Sequence, residues 1–300
     1  MKYAITLASF RKIEPIDETL ATLAKQGYDA IEMFGEPSEV NVKKLRDAFS
    51  SYNLPVCGIT GMWGSVSPES WKRKMLSNDP IFVQTSEQYV IDCLKMCNIL
   101  GGKEMNICLF ADDMPGFDKT HRTIPAKEKE LFAGKAIPVM NRLCRKASDY
   151  GIRLVLEPLN RYSTPYCATA KDAVAIACQV DSLGLLLDTF HMNIEEDLFT
   201  DAIQSSRQLL LHMHFADNNR KMPGFAHLDF FTIVKTLKEI GYSGYISFEP
   251  NIAEKNYENA TKYGLKFVKR IVELQDKMTT AELARSSSKT DSRDLYSKNT

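Results

Sequence analysis

Four side chains able to bind a metal ion close four consecutive apolar runs of this sequence. Glu157 ends RLVLE, Asp188 ends LGLLLD, His214 lies near the end of LLLHMHF, and Glu249 ends YISFE. Short apolar runs of this kind, bounded by turn residues, read as buried strands. In a parallel barrel, neighbouring strands lie about 4.8 Å apart and all their ends rise to one face, so the four groups converge. Carboxylates brought together without a partner repel one another and lose their hydration. A single divalent cation removes both penalties. Three carboxylates and one imidazole form a mostly hard donor set that suits Mn²⁺, admits Mg²⁺ or Co²⁺ and allows Zn²⁺. Without a thiolate ligand, a closed structural zinc site is not expected. His212 is two residues before His214 and points the same way. It reads as a packed or supporting histidine one layer deeper.

The elements that must position these groups alternate along the chain. Candidate strands are Tyr3–Ala8, Ala30–Phe34, Val56–Thr60, Glu104–Leu109, Arg153–Glu157, Gly184–Asp188, Leu209–Phe215 and Tyr245–Glu249. Between them, helical spacing predicts Asp17–Lys25, Thr85–Leu100 (opened by a Thr85/Gln88 capping box), Ala136–Asp149, Lys171–Gln179 (N-capped by Thr169) and Leu228–Ile240. Eight strand–helix units predict an α/β fold, a single-domain (β/α)8 TIM barrel over residues 1–275, with a polar tail over 276–300 that is helical first and disordered later. A doubly wound open sheet would bring a Gly-rich phosphate loop, and no G-x-G-x-x-G or Walker A string occurs. The longer segments Met62–Pro80 and Phe110–Lys135 are expected to form the rim of the site.

Composition excludes several classes. The 300 residues carry 38 basic and 38 acidic side chains, so the formal net charge is zero, without the basic excess of a nucleic-acid binder. The seven cysteines are odd in number and form no C-x-x-C pair, which fits a reducing compartment. No apolar stretch approaches the roughly 18 residues that span a bilayer, and the N-terminus reads as a strand rather than a signal peptide. The expectation is a cytoplasmic protein that engages neither nucleic acid nor membrane.

The strings LEPLNRY (156–162), LDTFHMNIEE (187–196), HFADNNR (214–220), HLDF (227–230) and SFEP (247–250) resemble the sugar-phosphate isomerase/epimerase-like TIM barrels, and among them the ketose 3-epimerases of the D-tagatose/D-psicose/L-ribulose type. The likeness is strongest from Gly151 to Pro250. It implies one metal ion on Glu157, Asp188, His214 and Glu249, with Glu157 and Glu249 as the acid/base pair that epimerises C3 of a ketose through a cis-enediolate; no phosphate-gripping loop appears in the sequence, so a free ketose is expected. It also implies that His191 and Arg220 hold the substrate's carbonyl-side oxygens. The chemistry is coherent, since inverting a carbon next to a ketone needs one proton removed from one face and another delivered to the opposite face, with a Lewis acid on the developing oxyanion. Glu32, in AIEMF, reads as a residue that orients substrate or pairs with a buried base. Trp63, with Met62 and Phe34, reads equally as a pocket wall or as ordinary core. Barrels of this kind pair through rim and helices, so a homodimer or homotetramer is expected.

Two positions depart from the epimerase pattern: Ser163 stands where a substrate-contacting Glu is usual, and Ala168 where an Asn is usual. They leave the sugar open, and with it a choice between epimerisation, aldose–ketose isomerisation and an inosose-dehydratase-like elimination at the same metal. An endonuclease IV-like nuclease would need further histidines from early strands. The five histidines are at 121, 191, 212, 214 and 227, none of them among the first 120 residues.

Overall fold

The computed structural model describes residues 1–11, 15–112, 120, 123–252 and 257–296. Eight parallel strands close into one barrel in sequence order. They are β1 Lys2–Thr6, β2 Ala30–Gly35, β3 Val56–Gly61, β4 Glu104–Ile107, β5 Arg153–Leu156, β6 Gly184–Asp188, β7 Leu210–Phe215 and β8 Tyr245–Phe248. Nearly every strand residue is buried, as expected of strands with side chains inside the barrel and helices outside. The helices of the outer ring are α1 Ile16–Gln26, α2 Val42–Ser51, α3 Pro80–Leu100, α4 Ala126–Asp149, α5 Ala170–Ala177, α6 Thr189–Glu195, α7 Phe199–Ser206, α8 Phe230–Glu239 and α9 Tyr257–Tyr296.

Several boundaries differ from the sequence expectation. β1 stops at Thr6, whose hydroxyl accepts the amide of Ala8 and starts a 3₁₀ turn. α3 begins at Pro80 rather than Thr85: Asp79 caps it by accepting the Ile81 amide, and Pro80 sits in the first turn, where a missing N–H costs nothing. The expected Thr85/Gln88 box is therefore helix interior. α4 begins at Ala126, not Ala136, so the rim segment after β4 is shorter than expected; its residues 113–119 and 121–122 lie outside the described residues. The charged run KEKE and Gly134 conceal helical periodicity there. Tertiary contacts hold this first part of the helix: Phe132 is stacked on Tyr166 with ring centroids 4.1 Å apart, and Lys129 Nζ donates to Asp172 at 2.7 Å. α5 opens as expected on Thr169, whose capping box is completed by Asp172. α9 runs past residue 275 to Tyr296.

The strand register is what places the site. Asp188 is level with His214 across the β6–β7 ladder, and His214 with Ser247 across β7–β8. Glu157 and Glu249 each lie one residue beyond the last residue of their strand. Their amides extend the ladders, to the Ile107 carbonyl at 2.9 Å and the Phe215 carbonyl at 3.1 Å. All four groups thus emerge on the C-terminal face of the barrel.

Candidate metal centre

One donor atom from each of Glu157, Asp188, His214 and Glu249 lies within 4.8 Å of the others. His214 and Asp188 are completely buried, and Glu157 is nearly so. Nδ1 of His214 faces Glu249 Oε2 at 3.2 Å and Glu157 Oε1 at 3.6 Å, yet it makes no hydrogen bond. A buried, unbonded imidazole nitrogen aimed into a cluster of carboxylates is a costly arrangement in itself. It is the arrangement that a divalent cation resolves, so the residues fit such an ion.

The charges around the cluster pull in opposite directions. Arg220 donates from Nη1 to Asp188 at 2.6 Å and from Nη2 to Glu249. Burial, with Glu249 and Glu157 close by, pushes the Asp188 carboxyl up although Arg220 pulls against it. Burial also works against Glu249, but Arg220 and His214 outweigh it and hold that carboxyl well below the usual carboxylate range. His214 itself is raised: Glu32 and Glu249 overcome the cost of burying its charge. Three carboxylates therefore share the charge of one guanidinium and one imidazole, and each proton gained or lost is felt by all.

Above the cluster the cavity has two lobes. One, of about 430 Å³, is lined by Trp63, Asn106, Glu157, Tyr162, Ser163, His191 and others. The second, of about 390 Å³, reaches Ser9, Arg11 and Asn251. Arg220 and Glu249 line both. Gly61 lets the walls close in, because a Cβ there would lie 2.2 Å from the Trp63 indole nitrogen.

A sequence model of the xylose isomerase-like TIM barrel matches residues 20–271. The chain belongs to that family. Its curated relatives are epimerases, enzymes of the isomerase class. The L-ribulose 3-epimerase of Methylomonas sp. (strain DH-1) is 28% identical over 237 residues, 77% of each chain. The D-psicose 3-epimerase of Agrobacterium fabrum is 38% identical over 118 residues, 39% of this chain and 41% of that one. The 3-dehydro-D-guloside 4-epimerase of Escherichia coli K12 is 26% identical over 262 residues, 85% of this chain and 95% of the relative. Among solved structures, an L-ribulose 3-epimerase superposes with a TM-score of 0.78 at 22% identity, covering 95% of this chain and 98% of that one. At that identity the likeness shows the fold alone.

Within this xylose isomerase-like barrel the remaining sequence candidates fall into distinct places. His191, at the start of α6, lines the cavity. Asn160 Oδ1 accepts the amides of Tyr162 and Ser163, which turns its NH₂ toward His191 Nδ1 at 2.7 Å. Nδ1 must then accept, and Nε2 carries the proton, 3.8 Å from Asp188. Burial, then Arg220, lowers this histidine to about 3, so it stays neutral. Arg220 reaches the acids themselves rather than only the space above them, and its guanidinium packs over Phe190 at 4.7 Å. Trp63 is a cavity wall. Glu32 does not line either lobe: it lies one layer deeper, under His214. His212 is also deeper, between Glu32 and Glu104. Burial opposes its charge, but those two carboxylates raise it to about 9.

The sequence alone did not single out the residues that hold the acids in place. Asn106, in β4, accepts the Gly61 amide and donates to Glu157. Cys108 Sγ lies 3.6 Å from the same carboxylate. Asp217, completely buried, accepts the amides of Asn218, Gly224, Ala226 and Leu228 and so winds the β7–α8 loop around itself. That loop sets Arg220 in a left-handed conformation, φ +59°, with its carbonyl bound by the Asn251 amide at 2.7 Å. An Asn within an apolar strand and an Asp two residues after a strand were the available signals.

Proposed function

We propose that this protein is a divalent-metal-dependent sugar epimerase that inverts C3 of a free ketose, with Mn²⁺ as its ion. The observation that carries the reading is the unbonded Nδ1 of His214 among three carboxylates, two of which, Glu157 and Glu249, also line the cavity. Relatives named L-ribulose, D-psicose and ketose 3-epimerase agree with it.

The two glutamates are the proton carriers. Glu249, kept ionised by Arg220, is equipped to accept the proton on the carbon next to the ketone. Glu157, steadied by Asn106, serves the opposite face. Because either face can be deprotonated in turn, the pair works in both directions. His191 offers its Nε2–H to a substrate oxygen, and Arg220 offers positive charge where the enediolate develops. Trp63 and Phe110 exclude water from one side. When bound, the metal ion supplies Lewis acidity toward the carbonyl and the adjacent hydroxyl. Asp188 acts only as a ligand.

A second reading is kept alive by Ser163. It lines the cavity at the position where the resemblance leads one to expect a carboxylate. Aldose–ketose isomerisation or elimination of water would use the same base and the same ion.

A panel of ketoses, incubated in D₂O with and without Mn²⁺ and resolved by chromatography and NMR, tests all three. Mn²⁺-dependent formation of the C3 epimer, with deuterium at C3, is expected. A product with a moved carbonyl, or one absorbing as an enone or diketone, would replace epimerisation with a rival. No turnover of any sugar with any added divalent ion would end the reading.

A further inference from the structure

Beneath His214, inside the barrel, lies a column of ionisable side chains that the proton-transfer scheme does not use. Glu32 of β2 is 2% exposed, and its Oε2 stands 2.9 Å from Nε2 of His214. The same oxygen is 3.4 Å from Nε2 of His212, an ion-pair distance without a hydrogen bond, and Nδ1 of His212 is 2.8 Å from Glu104 Oε2. Glu104 opens β4 at the opposite end of the barrel. There it is partly exposed and lines a cavity of about 430 Å³ with Lys103 and Arg153.

Two irregularities in the ladder aim this column. β3 carries Cys57 as an extra residue at the Ile31–Glu32 step, and β7 carries Leu211 as an extra residue immediately before His212. A bulge re-aims the side chains beside it. Each one here adjoins a member of the column.

Hydrogen bonding at one imidazole nitrogen decides what the other can do. A neutral imidazole carries a single N–H. With that proton on Nε2 and given to Glu32, the lone pair lies on Nδ1, the nitrogen that faces Glu249 and Glu157. We propose that Glu32 is a positioning residue of the metal centre, which fixes the tautomer and ring orientation of His214 so that Nδ1 is the ligand atom, and that His212 and Glu104 hold Glu32 in place from below. The proposal rests on the reading of Glu157, Asp188, His214 and Glu249 as ligands. Glu32 touches neither the cavity nor the reacting atoms; it acts through His214.

Mn²⁺ titration of the metal-stripped full chain by calorimetry, with the unfolding midpoint of each metal-free form measured alongside, tests it. The wild type is expected to bind one Mn²⁺. Glu32→Leu is expected to bind it about 10–100-fold more weakly. Glu32→Gln keeps an acceptor for Nε2–H and is expected to recover much of that loss. Glu104→Gln, remote from the cavity above the metal cluster, is expected to show a smaller loss. In each folded variant kcat should return toward the wild-type value once Mn²⁺ is saturating, a recovery that a merely misfolded protein would not make. Wild-type Mn²⁺ affinity in a folded Glu32→Leu overturns the proposal; if that variant does not fold, Glu104→Gln decides, and wild-type affinity there overturns it. Two Mn²⁺ per wild-type chain, one of them lost on changing Glu32, would also overturn it. Glu32, His212 and His214 would then be ligands of a second ion, since their donor atoms also cluster within 4.8 Å. A wild type that binds no Mn²⁺ at all would sink the ligand reading itself, and this proposal with it.

Discussion

Two carboxylate-bearing regions sit on the same face of the barrel and behave in opposite ways. After β2, Glu36 is 4% exposed and meets Arg73 with two oxygens on two nitrogens, at 2.9 and 2.7 Å, while the guanidinium lies 3.7 Å over the Tyr89 ring. Charge and geometry close on themselves there, and nothing is left to bind. At the ends of β5, β6 and β8, three carboxylates converge on one arginine and one histidine, with an imidazole nitrogen left over. An acid at a strand end is therefore not a functional sign in itself. The sign is an acid whose neighbourhood holds more negative charge than its own cations can answer.

The contrast can be broken in three places. The largest effect is expected from Glu249→Gln, which keeps an oxygen for the ion but removes the base and one ligand charge: kcat at saturating Mn²⁺ should fall by about 10²–10⁴-fold, with one Mn²⁺ still bound, more weakly, by calorimetry. Undiminished turnover would remove Glu249 from the chemistry. Next is Arg73→Met, which strands Glu36 as a buried, unpaired charge. It should cost about 3–5 kcal/mol of stability in urea unfolding while leaving the Mn²⁺ affinity of the folded protein unchanged. A loss of metal binding would mean that the two regions are not separate. The smallest belongs to an acid in neither class. Asp229 caps α8 by accepting from the Thr232 hydroxyl and amide, contacts that hold its carboxyl below the ordinary value. Asp229→Ala should cost about 1 kcal/mol near neutral pH. A depressed folded-state value contributes stability that is fully present above the unfolded value of about 3.9 and is lost as the pH falls through the lower folded value, so the gap between variant and wild type should narrow as the pH falls through the acidic range. A gap that does not narrow at all would contradict an ionised cap.

Much of this arrangement was legible in the sequence because parallel barrel strands are buried on both sides and read as unbroken apolar runs. A single acid or histidine at the end of such a run stands out, and Glu157, Asp188, His214 and Glu249 do. Helix starts were harder. Pro80 reads as a break although it suits a first turn, and the charges ahead of Phe132 hide a periodicity that its stack on Tyr166 reveals. Least legible were the partners. Asn106 and Glu157 are 51 residues apart and Glu32 and His214 are 182 apart, so no local pattern relates them. A glutamate inside the apolar run AIEMF announces a buried charge, but not what answers it.

The loop wound on Asp217 has an evolutionary corollary. Its backbone amides are gathered by one carboxylate, and Arg220 is pinned from the far side by Asn251. His227 is displayed outward from that knot, whereas Phe225 meets the Tyr263 ring edge-on at 5.0 Å. Mutation can rewrite the size and polarity of His227 without dislodging the arginine, so the lineage has a spot at which to drift in what it presents to its surroundings while its reactive machinery stays fixed.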